Sequence, residues 1–317
     1  MKIMQWFKKD EDIVSLQSLL AAPDQSIAQD AMVDENDYTC GLAVIPYELL
    51  QDGDYNKAED SLSEIFYDVY HHDNMEYEPE YNLFQFVRFD PKHTLDNLKQ
   101  SAIVAKEPHE FNDPLDPIII PWLKIYRKAI KNKKVSAFAG IADKVVKHYR
   151  IRCFSYGTGM KIKGGKLYLP KEQKIEDINP LMWAHYADGH KGFCLKCRID
   201  MEDMKRRYNT DHSFIQLRPI KYVKELDIKD RIGVSEAIVT KGKYWEYENE
   251  LRLIYFSKNI VDKPLLIKVD ITDIYLGVLC SDEIRQKLQN TFKHTRTKFH
   301  KMAIDPDDVT RLYSFEI

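Results

Sequence analysis

Cysteine is scarce. The 317 residues hold five, Cys40, Cys153, Cys194, Cys197 and Cys280, an odd number thinly spread, which argues against a disulfide scaffold and makes reduced thiols the expectation. Glycine and proline are also few, at 12 and 13, and 44% hydrophobic with 31% charged residues is the composition of an ordinary globular chain. Collagen, low complexity and wholesale disorder are thereby excluded. Nowhere do eighteen apolar residues run together, so no membrane helix and no membrane partner is expected. Residues 1–13 (MKIMQWFKKDEDI) lack the apolar core and small-residue cleavage site of a signal peptide, which gives a cytoplasmic expectation. Also missing are G-x-G-x-x-G, a Walker-type loop, a G-x-S-x-G elbow and H-E-x-x-H, the usual signatures of nucleotide loops, serine hydrolases and zincins.

Arginine is absent from residues 1–80, which carry 19 Asp and Glu against four Lys, a balance of −15. The remainder holds 43 Lys and Arg against 31 acids, a balance of +12. Within about a Debye length, ~8 Å, such opposed halves attract one another at cytosolic salt. The acidic part is either a solvated surface or a segment that screens a basic cleft, in which case residues 1–80 have a regulatory partner.

Apolar spacing divides the chain at about residue 80. In 1–80, Ile13, Leu16, Leu19 and Leu20, then Ala58, Leu62, Ile65, Phe66 and Val69, recur at steps of three and four and predict short helices. The acidic, proline-punctuated stretch 72–80 reads as a linker. Residues 81–317 predict strands at 83–89, 101–105, 149–156, 192–199, 220–224, 244–256, 265–269 and 273–277, with helices at 94–100, 121–148 and 181–187. Gly157, Gly159, Gly164 and Gly165 predict a flexible loop. Strands and helices mix without regular alternation, so the fold class expected is α+β: a small N-terminal helical region, then a mixed or antiparallel sheet domain with flanking helices.

Three constellations are candidates for chemistry. In 245–252 (WEYENELR) strand alternation would place Glu246, Glu248, Glu250 and Arg252 on one face. Successive carboxylates repel unless cations or a substrate neutralise them, so one of them is a candidate for a raised pKa and acid/base work; the alternative is an exposed, ion-paired strand face. In 109–117 (HEFNDPLDP), Asn112 and Asp113 beside proline predict a rigid turn. His109, Asp113 and Asp116 could ligate a divalent metal for phosphoester hydrolysis, although loops built for shape use the same residues. In 181–192 (LMWAHYADGHKG), a helix sets Met182, His185 and Tyr186 on one surface and pairs Trp183 with Tyr186. That surface either stacks a flat ring or is half-buried packing. The pair Cys194 and Cys197 has zinc-knuckle spacing without a second pair, and on a strand the two point to opposite faces. The basic run 124–134 is a solvated helix face or a phosphate contact.

The ordered motifs FNDPLDP (111–117), CFSY (153–156), LMWAHYADGHKGFCL (181–195) and KYWEYENELRLIY (243–255) closely resemble the bacterial family known as domain of unknown function 2971, over about residues 83–280. More weakly, the layout resembles an ADP-ribosyltransferase core. That second resemblance implies Arg88 on an early strand, Ser155 and Tyr156 in the middle, and Glu248 or Glu250 on a late strand. NAD would be the substrate and no metal is expected. One glutamate would stabilise the ribose oxocarbenium ion while the other deprotonates a nucleic-acid or protein acceptor. The contacts to the nucleotide small molecule would come from Arg88, Tyr156, Trp183, His185, Tyr186, Asn112, Asp113 and Arg252, with the glycine loop closing over the site. The function expected is an NAD-consuming ADP-ribosyl transferase acting as a toxin-type or anti-phage effector. The alternatives are a metal-dependent nuclease or phosphoesterase using His109, Asp113 and Asp116, and a non-catalytic ligand-binding module.

Overall fold

A computed structural model describes residues 13–15, 44–46, 75–91, 93–113, 115–117, 146–225, 237–260 and 263–317. Two short strands, β1 (Ile13–Ser15) and β2 (Val44–Pro46), pair antiparallel. Ile13, expected on a helix, is therefore in a strand; the helices expected around Leu16 to Leu20 and Ala58 to Val69 lie outside the described residues, as does nearly all of the one expected at 121–148. Residues 76 and 77, read as linker, form β3 (Glu76–Tyr77).

The centre of the molecule is one eight-stranded sheet. Its strands are β4 (Tyr81–Val87), β6 (Tyr149–Ser155), β9 (Phe193–Ile199), β10 (Ser213–Pro219), β13 (Glu250–Ser257), β15 (Asp270–Leu276), β16 (Lys298–Ile304) and β17 (Leu312–Glu316), in the order β10-β13-β6-β4-β9-β15-β16-β17. Only the β15–β16 pair is parallel. Around it lie β5 (Ala102–Ala105) paired with β14 (Leu265–Lys268), and β11 (Lys221–Val223) parallel to β12 (Thr240–Gly242). The α+β class holds: the helices α1 (Thr94–Lys99), α2 (Leu181–Tyr186), α3 (Met201–Tyr208) and α4 (Asp282–Phe292) flank the sheet.

Alternation along the strands builds two cores. Leu83, Phe154, Leu195, Cys197, Leu251 and Leu253 point into the larger one, covered by Met201 and Met204 of α3 and Leu288 and Phe292 of α4. Phe84, Phe86, Cys194 and Tyr275 point the other way, against Met182 and Trp183 of α2. Cys194 and Cys197 thus sit on opposite faces, as strand geometry requires, and do not share a metal. A register shift between Ile271 and Asp273 lets Ile271 and Ile274 both face the larger core and turns Asp273 and Tyr275 away from it.

Two further expectations are corrected. The glycine loop 157–165 contains β7 (Lys161–Lys163), which turns back through Gly164 and Gly165 to pair with β8 (Lys166–Tyr168), and β8 in turn pairs with β3. At φ values of 57° and 74° these two glycines supply the left-handed turn that a tight hairpin needs, so the stretch is a hairpin and not a flexible lid. The strand expected over 244–256 is split: residues Lys243–Glu248 form a 3-10 helix, and Asn249, at φ 44°, reverses the chain into β13.

Candidate functional site

The loop 106–117 is fixed by its own hydrogen bonds. Glu107 and Glu110 form a capping box around the 3-10 turn Pro108–Glu110. The Asp113 carboxylate accepts the Leu115 amide at 2.8 Å, and the Asp113 carbonyl accepts the Asp116 amide at 3.1 Å. Shaped in this way, the loop delivers Asp116 to the sheet, where it grips Arg252 with both oxygens, Nη2 to Oδ1 at 2.5 Å and to Oδ2 at 2.7 Å. Phe111 packs beneath the same guanidinium, 5.5 Å from its centre.

Arg252 is the meeting point of a buried ionic cluster. Its side chain is 0% exposed; Nε donates to Glu250 Oε1 at 2.7 Å and Nη1 to the Ile238 carbonyl at 2.5 Å. Across the cluster stands Lys241, whose Nζ reaches Glu248 Oε2 at 2.5 Å, Glu250 Oε2 at 3.0 Å and Asp116 Oδ2 at 3.2 Å. Tyr186 donates its hydroxyl to Glu248 Oε1 at 2.6 Å, and the Tyr222 hydroxyl accepts the Glu250 amide at 3.0 Å. Three carboxylates face two cations, so the fully ionised cluster carries a net charge of −1.

The two glutamates are driven apart by their surroundings. Burial raises Glu248, and the neighbouring Glu250 adds to this, so that it stands at about 7 despite the opposing pull of Lys241. Burial would raise Glu250 too, but Arg252 and Lys241 together outweigh it and hold this carboxyl well below the usual range. Lys241 stays charged because Glu250, Asp116 and Glu248 overcome the burial that disfavours its ammonium. Glu250 is thus a permanent anion enclosed by two cations, and Glu248 is the member able to gain or lose a proton near neutral pH.

A rim of rings lies beside Glu248. Trp245 and Tyr247, half-buried on the 3-10 helix, meet the exposed His185 at 5.9 and 6.4 Å and each other at 6.0 Å. Lys241 Nζ lies 5.2 Å from the Trp245 ring centre.

The expected site residues divide accordingly. Glu248, Glu250, Arg252 and Tyr186 come together, and Ser155 joins them on the sheet: it is buried, directly opposite Glu250 on β13 and Phe84 on β4. His185 joins at the rim. Arg252 is enclosed and is not a phosphate contact. Glu246 does not share the face of Glu248 and Glu250 because the 3-10 turn redirects it; it is exposed and pairs with Lys243 at 3.5 Å. Arg88 lies outside the cluster, 79% exposed and 3.6 Å from Asp188. Trp183 is core, edge-on to Phe86 at 5.1 Å, and Tyr156 packs against the larger core on the other face. Asn112 is exposed on the loop, and Asp113 is its turn-former. His109 turns to Glu107 at 2.9 Å, so the metal trio with Asp113 and Asp116 disperses to three different partners. Among the described residues no group of three His, Cys, Asp or Glu has metal-holding geometry.

Sequence reasoning missed Lys241. The acidic run signals only that cations beyond Arg252 are needed, and nothing in the sequence says which of the many lysines supplies one. A cavity of about 430 Å³, lined by Glu176, Trp183, Asp305 and Tyr313 among others, lies at the opposite end of α2 and is separate from this chemistry.

Fold and cluster define a class: a mixed α/β protein on one curled eight-stranded sheet, with a buried five-charge centre beside a rim of aromatic rings. Over residues 182–253 the chain matches the model of the family described as protein of unknown function (DUF2971). The matched stretch contains Lys241, Glu248, Glu250 and Arg252, every member of the cluster except Asp116. No curated protein and no solved structure matches the chain.

Proposed function

We propose that this chain is a glycosyl-transferring enzyme that consumes NAD, with Glu248 as its acid/base group and the Trp245, Tyr247 and His185 rim as the seat of the nicotinamide ring. The observation that carries the reading is a carboxyl standing at about 7 beside half-buried rings, in a cluster whose ionised charge is negative. The C1′–N bond breaks with its electrons passing to the ring nitrogen, so nicotinamide leaves neutral. The ribose then carries oxocarbenium character, which a net anionic site favours over water. C1′ bonds to the acceptor oxygen or nitrogen, and Glu248 takes the acceptor's proton. Tyr186 fixes the Glu248 carboxyl from one side and Lys241 from the other.

This places the working acid at Glu248 and gives Glu250 the task of holding Arg252 and Lys241. The metal-dependent alternative has less to stand on, because Asp116 is committed to two cations.

Nicotinamide release from NAD, followed chromatographically with cell extract as the source of acceptor, tests the proposal. The wild-type protein is expected to release nicotinamide, and Glu248→Gln to lower the rate at least ~100-fold with an unchanged circular dichroism spectrum. A wild-type protein that releases none, or a folded Glu248→Gln variant as active as the parent, overturns it.

A further inference from the structure

The charge count of the cluster has a consequence for what the rim accepts. Each of its five charged groups is buried, and the carboxylates are held by partners of opposite charge and by neutral donors: Asp116 by Arg252 and Lys241, Glu250 by the same two and the Cys153 thiol, Glu248 by Lys241 and Tyr186. Two states bring that centre to neutrality. In one, Glu248 carries a proton; in the other, all three carboxylates are ionised and a positive charge arrives from outside. A neutral ring supplies no such charge, and a cationic ring does. The Trp245, Tyr247 and His185 rings, 5.9–6.4 Å apart, offer electron-rich faces to a flat cation beside this net-negative centre; the Lys241 ammonium, 5.2 Å from the Trp245 ring centre, acts against it but is itself held by three carboxylates.

We propose that the Trp245–Tyr247–His185 rim selects a planar organic cation over its neutral counterpart, and that Glu248 gives up its proton as the cation binds. Resting on the proposed reading of this site, the inference means that the oxidised dinucleotide, with its positive pyridinium, is accepted and the reduced dinucleotide, with its neutral ring, is rejected.

The groups that set the Glu248 proton come from every element packed around it. They are Tyr186 and His185 on α2, Lys241 on β12, Tyr222 on β11, Asp116 on the loop, Glu250 and Arg252 on β13 with Cys153 of β6 behind them, and Tyr247 beside it in sequence. Glu246 is exposed and paired with Lys243. With Glu248 at about 7 in the free protein, a cation must displace one proton below that pH and none well above it. Affinity for the cation therefore rises about tenfold per pH unit up to neutrality and then levels off, while affinity for the neutral ring does not.

The probe is 1-methylnicotinamide, a pyridinium without a glycosidic bond, compared with neutral nicotinamide. Isothermal titration in two buffers of different ionisation enthalpy counts the protons released. The wild-type protein is expected to bind the cation at least ~10-fold more tightly than nicotinamide at pH 8, and to release close to one proton at pH 6. Glu248→Gln is expected to release none. Equal affinity for the two probes, no proton release by the wild type, or undiminished release by Glu248→Gln overturns the proposal. Because neither probe can be turned over, this outcome is independent of whether NAD is cleaved.

Discussion

Arg252 is a guanidinium with no access to water, and everything around it follows from that. Removing a buried cation from solvent is tolerable only where partners of opposite charge are fixed in place, and Asp116 and Glu250 are those partners. Glu250→Gln takes away one of them and leaves both Arg252 and Lys241 short of a negative charge. It is expected to lower unfolding stability by about 3 kcal/mol or more, read as a fall in the urea midpoint at unchanged slope. Glu248→Gln at pH 6 removes a carboxyl that is already largely protonated, so its cost at that pH is expected to stay within about 1 kcal/mol. Equal losses at the two positions would refute this division between a structural glutamate and a titrating one. Lys241, in contrast to the glutamates, was not legible: in the sequence it is one lysine among many, and only the folded path of β12 brings it between three acids.

Elements were legible where alternation or turn chemistry is strong. The strands β4, β6 and β9 and the helices α1 and α2 fall within a few residues of their expected places, because their apolar spacing is clean. Residues 243–256 were not, since aromatic and acidic residues alternate through 245–248 as on a strand, whereas the 3-10 turn is set by a left-handed Asn249 that pairs with the Gly157 carbonyl at 2.9 Å. Helix α4 carried a readable signal that went unused: Ser281 accepts the Ile284 amide as an N-cap, and Leu288 and Phe292 follow on the buried face. The junction of α2 and β9 depends on a different feature. A Cβ on Gly192 would lie 2.2 Å from the Val87 carbonyl and 3.0 Å from that of Ala187, so Gly192→Ala forces α2 and β4 apart from β9. A loss of roughly 3 kcal/mol is expected, together with a loss of rigidity at Tyr186; a melting temperature equal to wild type would show that the junction yields at no cost.

At the scale of the whole molecule, the sheet determines which distant stretches meet, and no local pattern reveals its strand order. Asp116 and Arg252 are brought together because the loop 106–117 is anchored at its start by Lys106, which pairs with Ile151 of β6, the neighbour of β13; the motifs gave the residues, and topology gave the contacts. The resulting cluster shapes how the entire fold responds to pH. The Glu248 carboxyl stands at about 7 against an ordinary 4.5, because burial and Glu250 favour its neutral form. Between those values the folded protein holds a proton that the unfolded chain has released, so this group's contribution to stability is full below pH 4.5 and is lost as pH rises toward 7. Glu250 acts in the opposite sense: with its carboxyl lowered by Arg252 and Lys241 despite burial, it loses stabilising effect as pH falls below 4.5. His190, which burial lowers from its ordinary value, adds a dependence of its own, so the wild-type curve alone is a composite. The difference between wild type and Glu248→Gln cancels those shared terms. From pH 5 to pH 8 the wild type is expected to lose stability relative to the variant by on the order of 1–3 kcal/mol, read from paired urea melts at each pH. Two parallel curves would mean that Glu248 does not titrate in that window, and the acid/base role assigned to it would go with it.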